Sequence, residues 1–281
     1  MRTIHGKKAL VTGAASGLGR AIAVQLAAAG ADLYLLDIDQ VGLDEVVGQV
    51  RGMGVEALGA RCDVAQPVEI TASVNRVLAD WDGLDILVNN AGVAYYGPTL
   101  NMTSAQWDWV LAVNLHAPIR FTQQLLPILL DRPEAHILKM ASITGLVAGG
   151  RFCAYHVSKF GLVGFSEAIR AEFGRHGLGV TALCPGPVRT NLYRATPSGN
   201  KHKTTPEPPA WICTTPRRVA QKAVRAIRRD QRLVLVSPLA YALHYTKRFA
   251  PGLLDTLQRI GRHRKMKQKA ARLAQRHRRA A

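Results

Sequence analysis

A short apolar run that leads through a glycine-rich turn into an amphipathic helix constrains this chain more than any other feature. Residues 7–12 read as a buried strand. The turn is Thr12-Gly13-Ala14-Ala15-Ser16-Gly17-Leu18-Gly19, and residues 17–29 follow as a helix with Leu18, Ile22 and Leu26 on one face. Glycines permit a tight turn and let backbone amides approach a diphosphate at the positive end of a helix. The spacing is GxxxGxG, not GxGxxG. Residues 33–37 form a second strand that ends in Asp37, 18 residues beyond Gly19. A carboxylate there is either an ordinary strand-end acid or a ribose ligand, and the strand, turn and helix before it favour the ribose. Because it would repel a 2′-phosphate, NAD is expected over NADP.

The alternation continues to residue 184. Helical 41–51 precedes strand 55–60, helical 67–78 precedes strand 84–88, and a long helical stretch 104–130 precedes strand 136–140. A helix over about 154–175 and a strand over 180–184 complete the pattern. It predicts an α/β fold, a doubly wound parallel sheet (Rossmann-like) with helices on both faces. Ligands in that architecture bind beyond the carboxyl ends of the strands, and Gly13, Asp37, Asp63, Asn90 and Ser142 each follow a predicted strand. Residues 1–237 are expected to form a single domain. Within it the Pro- and Thr-rich stretch 195–215 is a candidate substrate lid or a surface insertion. Residues 238–281 form a helical C-terminal extension, amphipathic at first and then strongly basic.

Tyr155-His156-Val157-Ser158-Lys159 lies in the helix predicted over 154–175. Tyr155 and Lys159 are four residues apart and share a helix face. A phenol titrates near 10, so acid/base work near pH 7 needs a shift of roughly three units, or about 4 kcal/mol. A neighbouring ammonium favours the phenolate and supplies part of that shift. His156 lies on a different helix face and is expected to be inert. Cys153 has no histidine base or orienting acid in its sequence context and reads as a packing residue. No HExxH or CxxC spacing points to a metal, and Cys62, Cys153, Cys184 and Cys213 are expected as reduced thiols of a cytosolic protein.

The formal net charge of +18 is unevenly placed: residues 1–214 hold 18 Lys/Arg against 17 Asp/Glu, and residues 215–281 hold 19 against 2. Nine of those cations fall within 262–279 with no acid among them, behind apolar residues at helical spacing in 239–249 and 253–260. A peripheral anchor on an anionic membrane surface and a docked helix pair with a solvated tail both fit. Nucleic-acid binding fits less well, because no aromatic residue follows Phe249. No stretch reaches the roughly 20 apolar residues of a spanning helix, and the first apolar run is too short for a signal-peptide core. A soluble cytoplasmic protein is expected, with peripheral contact at the inner face of a membrane left open.

Together these residues resemble the short-chain dehydrogenase/reductase family over about residues 5–192. The matching motifs are the glycine turn, Asp63, Asn89-Asn90-Ala91-Gly92, Asn114, Ser142, Tyr155 with Lys159, and Pro185-Gly186-Pro187-Val188-Arg189-Thr190, in the family's order and spacing. The resemblance implies a catalytic set of Asn114, Ser142, Tyr155 and Lys159. In it Tyr155 exchanges a proton with the substrate oxygen, while Lys159 lowers the phenol pKa and holds the nicotinamide ribose. Ser142 hydrogen-bonds the substrate carbonyl or alcohol, and Asn114 anchors a water that connects Lys159 to solvent. The implied cofactor site comprises Gly13, Ser16, Gly17, Leu18, Gly19, Asp37, Asp63, Val64, Asn90, Ala91, Gly92, Pro185, Val188 and Thr190, joined by Tyr155 and Lys159. Asp63 is placed at the adenine, and Val188 and Thr190 at the carboxamide.

The family's substrate-recognition segments hold Val93, Tyr95 and Tyr96, then Leu146 and Val147, then Leu192 and Tyr193. Such a pocket suits a hydrophobic alcohol or its ketone or aldehyde. The expected function is an NAD(H)-preferring oxidoreductase on such a compound, assembled, as the resemblance implies, as a homodimer or homotetramer. The alternative is a dinucleotide-sensing interaction protein that binds a membrane or nucleic acid through its basic tail. Asn114, Ser142, Tyr155 and Lys159 occurring together favour the enzyme.

Overall fold

The computed structural model describes residues 1, 3–199 and 204–259. Strand β1 (Lys8–Thr12) passes through the glycine turn into α1 (Gly17–Ala27). Then β2 (Asp32–Asp37), α2 (Gln40–Arg51), β3 (Ala57–Arg61), α3 (Pro67–Asp80) and β4 (Ile86–Asn89) continue the alternation. The second half runs α4 (Ser104–Leu111), α5 (Ala117–Leu130), β5 (Ala135–Met140), α6 (Cys153–Phe173), β6 (Leu178–Cys184), α7 (Leu192–Ala195), α8 (Pro216–Arg228), β7 (Leu233–Leu235), α9 (Pro238–Phe249) and α10 (Pro251–Arg259). Among the described residues seven strands form one parallel sheet in the order β3-β2-β1-β4-β5-β6-β7. The order reverses between β1 and β4, which opens a crevice beyond their carboxyl ends.

Strand alternation decides which helices cover which face. In β1, Ala9 and Val11 join a core with Ile22 and Leu26 of α1, Leu43 and Val46 of α2, and Val219 and Ile227 of α8. Leu10 faces the other way, with Ile70 and Val74 of α3, Phe121 and Leu125 of α5, and Ile169 of α6. Burial on both faces is why these strands read as unbroken apolar runs. Each fully buried Leu, Ile or Phe side chain contributes ~1.5–3 kcal/mol. Helix starts are set locally: Asp39, Thr215 and Ser237 side chains accept the N–H groups of Gly42, Arg218 and Ala240. Pro67, Pro216 and Pro238 occupy first turns, where a missing N–H costs nothing.

One expectation changes, and one of the open alternatives gains an observation. The helix predicted over 104–130 is α4 and α5 joined by a π-helical turn, Ala112–His116. Pro118 has no N–H to offer the Asn114 carbonyl four residues back, and the wider turn holds Asn114 fully buried. The C-terminal extension begins as a helix docked on the domain. Ala240 sits in a cluster with Ile143, Val163, Cys184 and Leu235, and Lys247 Nζ donates to the Leu146 carbonyl at 2.8 Å. The basic run 262–279, Ile260 and part of the candidate lid, 200–203, lie outside the described residues.

Candidate active site

The glycine turn is shaped by what cannot fit in it. Gly13 and Gly17 have φ of +66° and +54°, where an L side chain is strained. A Cβ on Gly13 would lie 2.8 Å from Ala91 Cα, and one on Gly19 would lie 1.8 Å from the Gly13 carbonyl oxygen. Asn90 holds the turn from β4: its Nδ2 donates to the carbonyls of Thr12 (2.9 Å) and Gly13 (3.0 Å). The Thr12 hydroxyl in return accepts the N–H groups of Asn90 (3.0 Å) and Ala91 (3.1 Å). Ser16, at the N-cap of α1, makes no side-chain bond to its own helix, and the first turn of α1 has no acid. That helix end is electrostatically open to an anion.

Asp37 and Asp63 answer a question that their positions left open. Asp37 accepts the Ala15 N–H at 2.8 Å and the Asp39 N–H at 3.0 Å, and Asp63 accepts the Ala65 N–H at 2.9 Å. Each therefore braces backbone, and each also lines a cavity of about 590 Å³. A carboxylate offers about four acceptor directions, so the two bracing bonds of Asp37 and the one of Asp63 leave capacity for a ligand. Gly13, Ser16, Gly17, Leu18, Val64, Asn90, Ala91, Gly92, Pro185, Val188 and Thr190 line the same cavity, as do Ser142, Tyr155 and Lys159. Gly19 and Asn114 stand behind its wall.

At the other end β5 and α6 bring the reacting groups together. The Ser142 side chain stands beside the Tyr155 phenol and acts to lower its pKa, and its Oγ accepts the Thr144 N–H at 3.2 Å. Lys159 Nζ lies 5.5 Å from the Tyr155 ring centroid and donates to the Met140 carbonyl at 2.8 Å. Burial holds the Lys159 ammonium down to about 8, with Cys184 acting slightly the other way. Burial also pushes the Tyr155 phenol well above its ordinary value, helped by Tyr193 and opposed by the Ser142 hydroxyl. A phenol lowered by Lys159 is thus not what the protein alone provides: desolvation outweighs an ammonium at that distance.

Asn114 works as a brace. Its Nδ2 donates to the Val93 carbonyl (2.8 Å) and to Ser158 Oγ (3.1 Å), and its Oδ1 accepts the Val93 N–H (2.8 Å). This fixes the chain leaving Asn89–Gly92 against α6.

The substrate end departs from the sequence reading. Val93, Leu192 and Tyr193 line the cavity, together with Trp109, Val113 and Phe152. Tyr95 does not: it is buried with Val110 and Ala154, and its hydroxyl donates to the Asn101 carbonyl at 3.2 Å. Tyr96 lies outside the lining and packs against Phe152 with the rings tilted and their centroids 5.1 Å apart. Leu146 and Val147 pack towards Leu235 and Ala240. Trp109 and Phe152 went unread because no motif marks them; the signal that was there is the i, i+4 pairing of Trp109 with Val113 and the place of Phe152 one turn before Tyr155. The stretch 195–215 is pinned at both ends, by Tyr96 N–H to the Pro197 carbonyl (3.0 Å) and Thr214 N–H to the Pro187 carbonyl (2.9 Å). All four cysteines are free. Among the described residues no His/Cys/Asp/Glu group could hold a metal ion, and no helix is long and apolar enough to cross a membrane.

Comparison with known proteins bears on this arrangement. The family model for short chain dehydrogenases matches residues 7–201. The chain belongs to the short-chain dehydrogenase family. D-threitol dehydrogenase of Mycolicibacterium smegmatis is 38% identical over 189 residues, 67% of this chain and 73% of that protein. A short chain dehydrogenase/reductase from Burkholderia phymatum, solved in complex with NAD, has a TM-score of 0.80 at 27% identity, covering 90% of this chain and 97% of that one. A metagenomic short-chain oxidoreductase in complex with NADP has a TM-score of 0.70 at 32% identity, covering 83% of this chain and 98% of that one. This short-chain dehydrogenase is an oxidoreductase with a Rossmann-like fold.

Proposed function

We propose that this short-chain dehydrogenase interconverts a hydrophobic alcohol and its ketone or aldehyde, preferring NAD(H) to NADP(H). The observation that carries the reading is the convergence of Ser142, Tyr155 and Lys159 on one cavity, with Lys159 Nζ 5.5 Å from the phenol ring centroid. When bound, the dinucleotide supplies the hydride acceptor or donor and, in its oxidised form, a positive charge. The bare backbone at Gly13 and Gly19 and the uncapped start of α1 fit its diphosphate. Asp37, Asp63 and Val64 hold the adenosine half, and Val188 and Thr190 the carboxamide. Asp37 sets the preference by charge, since a 2′-phosphate would face a carboxylate.

Ser142 orients the substrate oxygen and Tyr155 carries its proton. Lys159 is mostly cationic below about pH 8 and favours the phenolate. The Asn114 amide is committed to Val93 and Ser158, so its carbonyl, denied an α-helical donor by Pro118, is the group that holds a water towards Lys159. Trp109, Val113, Phe152 and Leu192 favour an apolar substrate.

Turnover tests this. With a panel of apolar alcohols and NAD, reduced nicotinamide should form and should cease with Tyr155→Phe while dinucleotide binding persists. Dinucleotide binding without turnover on any such compound would overturn the enzyme reading in favour of a dinucleotide-sensing protein, and tighter binding of NADP than NAD would remove the role of Asp37.

A second reading concerns the C-terminal extension of a cytoplasmic protein. On α9, Tyr241, Tyr245 and Phe249 are exposed by 45, 51 and 75% and stack in series, with centroids 6.5 and 6.2 Å apart. Leu253 of α10, 55% exposed, follows at the same spacing. We propose that this stripe lies on an anionic membrane surface, charge-matched by the 19 Lys/Arg against 2 Asp/Glu of residues 215–281. Full-length protein should float with vesicles containing phosphatidylserine, and Tyr241→Ser/Tyr245→Ser/Phe249→Ser should not; equal flotation of both rejects the idea. Homodimers or homotetramers are expected through the outer face of α6, where Val157 and Phe160 are exposed; a monomer in sedimentation equilibrium would exclude them.

A further inference from the structure

We propose that His156 is a positioning residue: it locks the loop between β5 and α6 onto the helix that carries Tyr155, and so holds Ser142 within reach of the phenol. The proposal rests on the reading of Ser142 and Tyr155 as the groups that meet the substrate oxygen. His156 was expected to be inert because it lies about 100° around the helix from Tyr155. That offset turns its ring away from the cavity and into the loop. The residue is 8% exposed.

Both ring nitrogens are engaged. Gly149 donates its N–H to Nε2 at 3.0 Å, and Nδ1 lies 2.8 Å from the Thr144 carbonyl oxygen. An amide N–H can be received only by a ring nitrogen that carries no proton. Nε2 is therefore bare, the proton sits on Nδ1, and Nδ1–H donates to Thr144. One neutral tautomer satisfies both contacts and ties down two points of the loop five residues apart.

These contacts reach the site through hydrogen bonds already described. Thr144 gives its carbonyl to His156 and its N–H to Ser142 Oγ, and Ser142 lines the same cavity as the Tyr155 phenol. Beneath them the loop has little slack, since a Cβ on Gly145 would lie 2.5 Å from the Lys159 carbonyl oxygen. His156 touches no reacting atom; it acts through Thr144 on Ser142.

The experiment compares the full-length protein with His156→Phe, His156→Asn and His156→Gln in three measurements: NADH affinity by fluorescence titration, kcat and KM on whichever alcohol the wild-type protein oxidises, and hydrogen exchange of peptides covering 144–152. Phenylalanine keeps a ring and loses both bonds. It should bind NADH within twofold of wild type, lose kcat tenfold or more with a smaller change in KM, and exchange faster in 144–152. Asparagine and glutamine, each able to remake one bond, should recover part of the loss. A folded His156→Phe with kcat within twofold of wild type, or one that loses NADH affinity and kcat in parallel, overturns the proposal. Should the phenylalanine variant not fold, the other two decide: intermediate kcat with unchanged NADH affinity supports the lock, and wild-type kcat in both overturns it. Hydrogen exchange needs no turnover, so unchanged exchange sinks the lock on its own, whereas a wild-type protein without activity sinks only the enzyme reading.

Discussion

At the dinucleotide end of the cavity, polar side chains grip backbone: Asn90 holds Thr12 and Gly13, Asp37 holds Ala15, and Asp63 holds Ala65. At the substrate end the wall is assembled from side chains on separate elements, Trp109 on α4, Phe152 ahead of α6 and Leu192 on α7. Backbone geometry at the first end dictates residue type, because only glycine fits the turn and the two N–H groups of one side-chain amide meet two neighbouring carbonyls. At the second end the requirement is volume and low polarity, which many residues meet. One end is therefore expected to be intolerant of substitution and the other permissive, with Ser142, Tyr155 and Lys159 at the join.

The largest effect should fall on that join. Tyr155→Phe should lower kcat by roughly 10²–10⁴-fold with NADH affinity unchanged in a fluorescence titration; a comparable loss of affinity would mean that the phenol belongs to the dinucleotide end. Next is Asn114→Ala, which strands the Val93 N–H and carbonyl in a buried site and leaves the Ser158 hydroxyl only its bond to the Tyr155 carbonyl. A loss of about 3 kcal/mol in urea-unfolding stability is expected, and Trp109→Ala should cost less. Asp37→Ala should then weaken NAD binding by about tenfold, or ~1.4 kcal/mol, and narrow its advantage over NADP, as read by paired Kd values.

A pH prediction tests whether either end dominates stability. His136, at the amino end of β5 and far from both, is fully buried beside Thr181 Oγ1 (2.9 Å) and Asp230 Oδ1 (3.9 Å), and burial holds its pKa down to about 3. The folded protein keeps this ring neutral while the unfolded chain protonates it near 6.5. Its contribution is thus fully present above about pH 6.5 and lost as pH falls towards 3, by at most ~1.4 kcal/mol per unit. His136→Asn should flatten the acid limb of a stability profile without altering NADH affinity at pH 7. The smallest effect should be that of Tyr95→Phe, which removes one bond to the Asn101 carbonyl. About 1 kcal/mol of stability should go with no change in kcat, whereas a change in substrate preference would return Tyr95 to the pocket.

The same contrast explains what could be read from the chain. Strand, turn and helix at 7–29 were legible because buried strands, glycines with positive φ and an apolar helix stripe each leave a pattern. The single helix expected over 104–130 failed because apolar spacing does not register one wider turn; Pro118 was the residue that could have signalled it. Tyr95 and Trp109 exchanged places for a related reason. Both are large aromatic residues near the site, and which one faces the cavity depends on how α4 packs against α6, not on any local motif. His156 was read from its helix face alone, which does lie away from Tyr155; that face meets the loop before α6, where the ring bonds Gly149 and Thr144.

The stitch between Thr12 and Asn90 spans 78 residues of sequence. A nascent chain that has delivered only β1 and α1 carries every glycine of the motif but not the amide that holds the turn. Closing a loop of that span costs entropy before any contact offsets it, and parallel pairing at long separation is slow. The dinucleotide site should accordingly mature only after β4 has docked beside β1. From then on the dinucleotide binds a state the unfolded chain does not offer, so raising its concentration should raise Tm. Translation paused before residue 86 should leave a nascent chain that dinucleotide cannot protect from proteolysis.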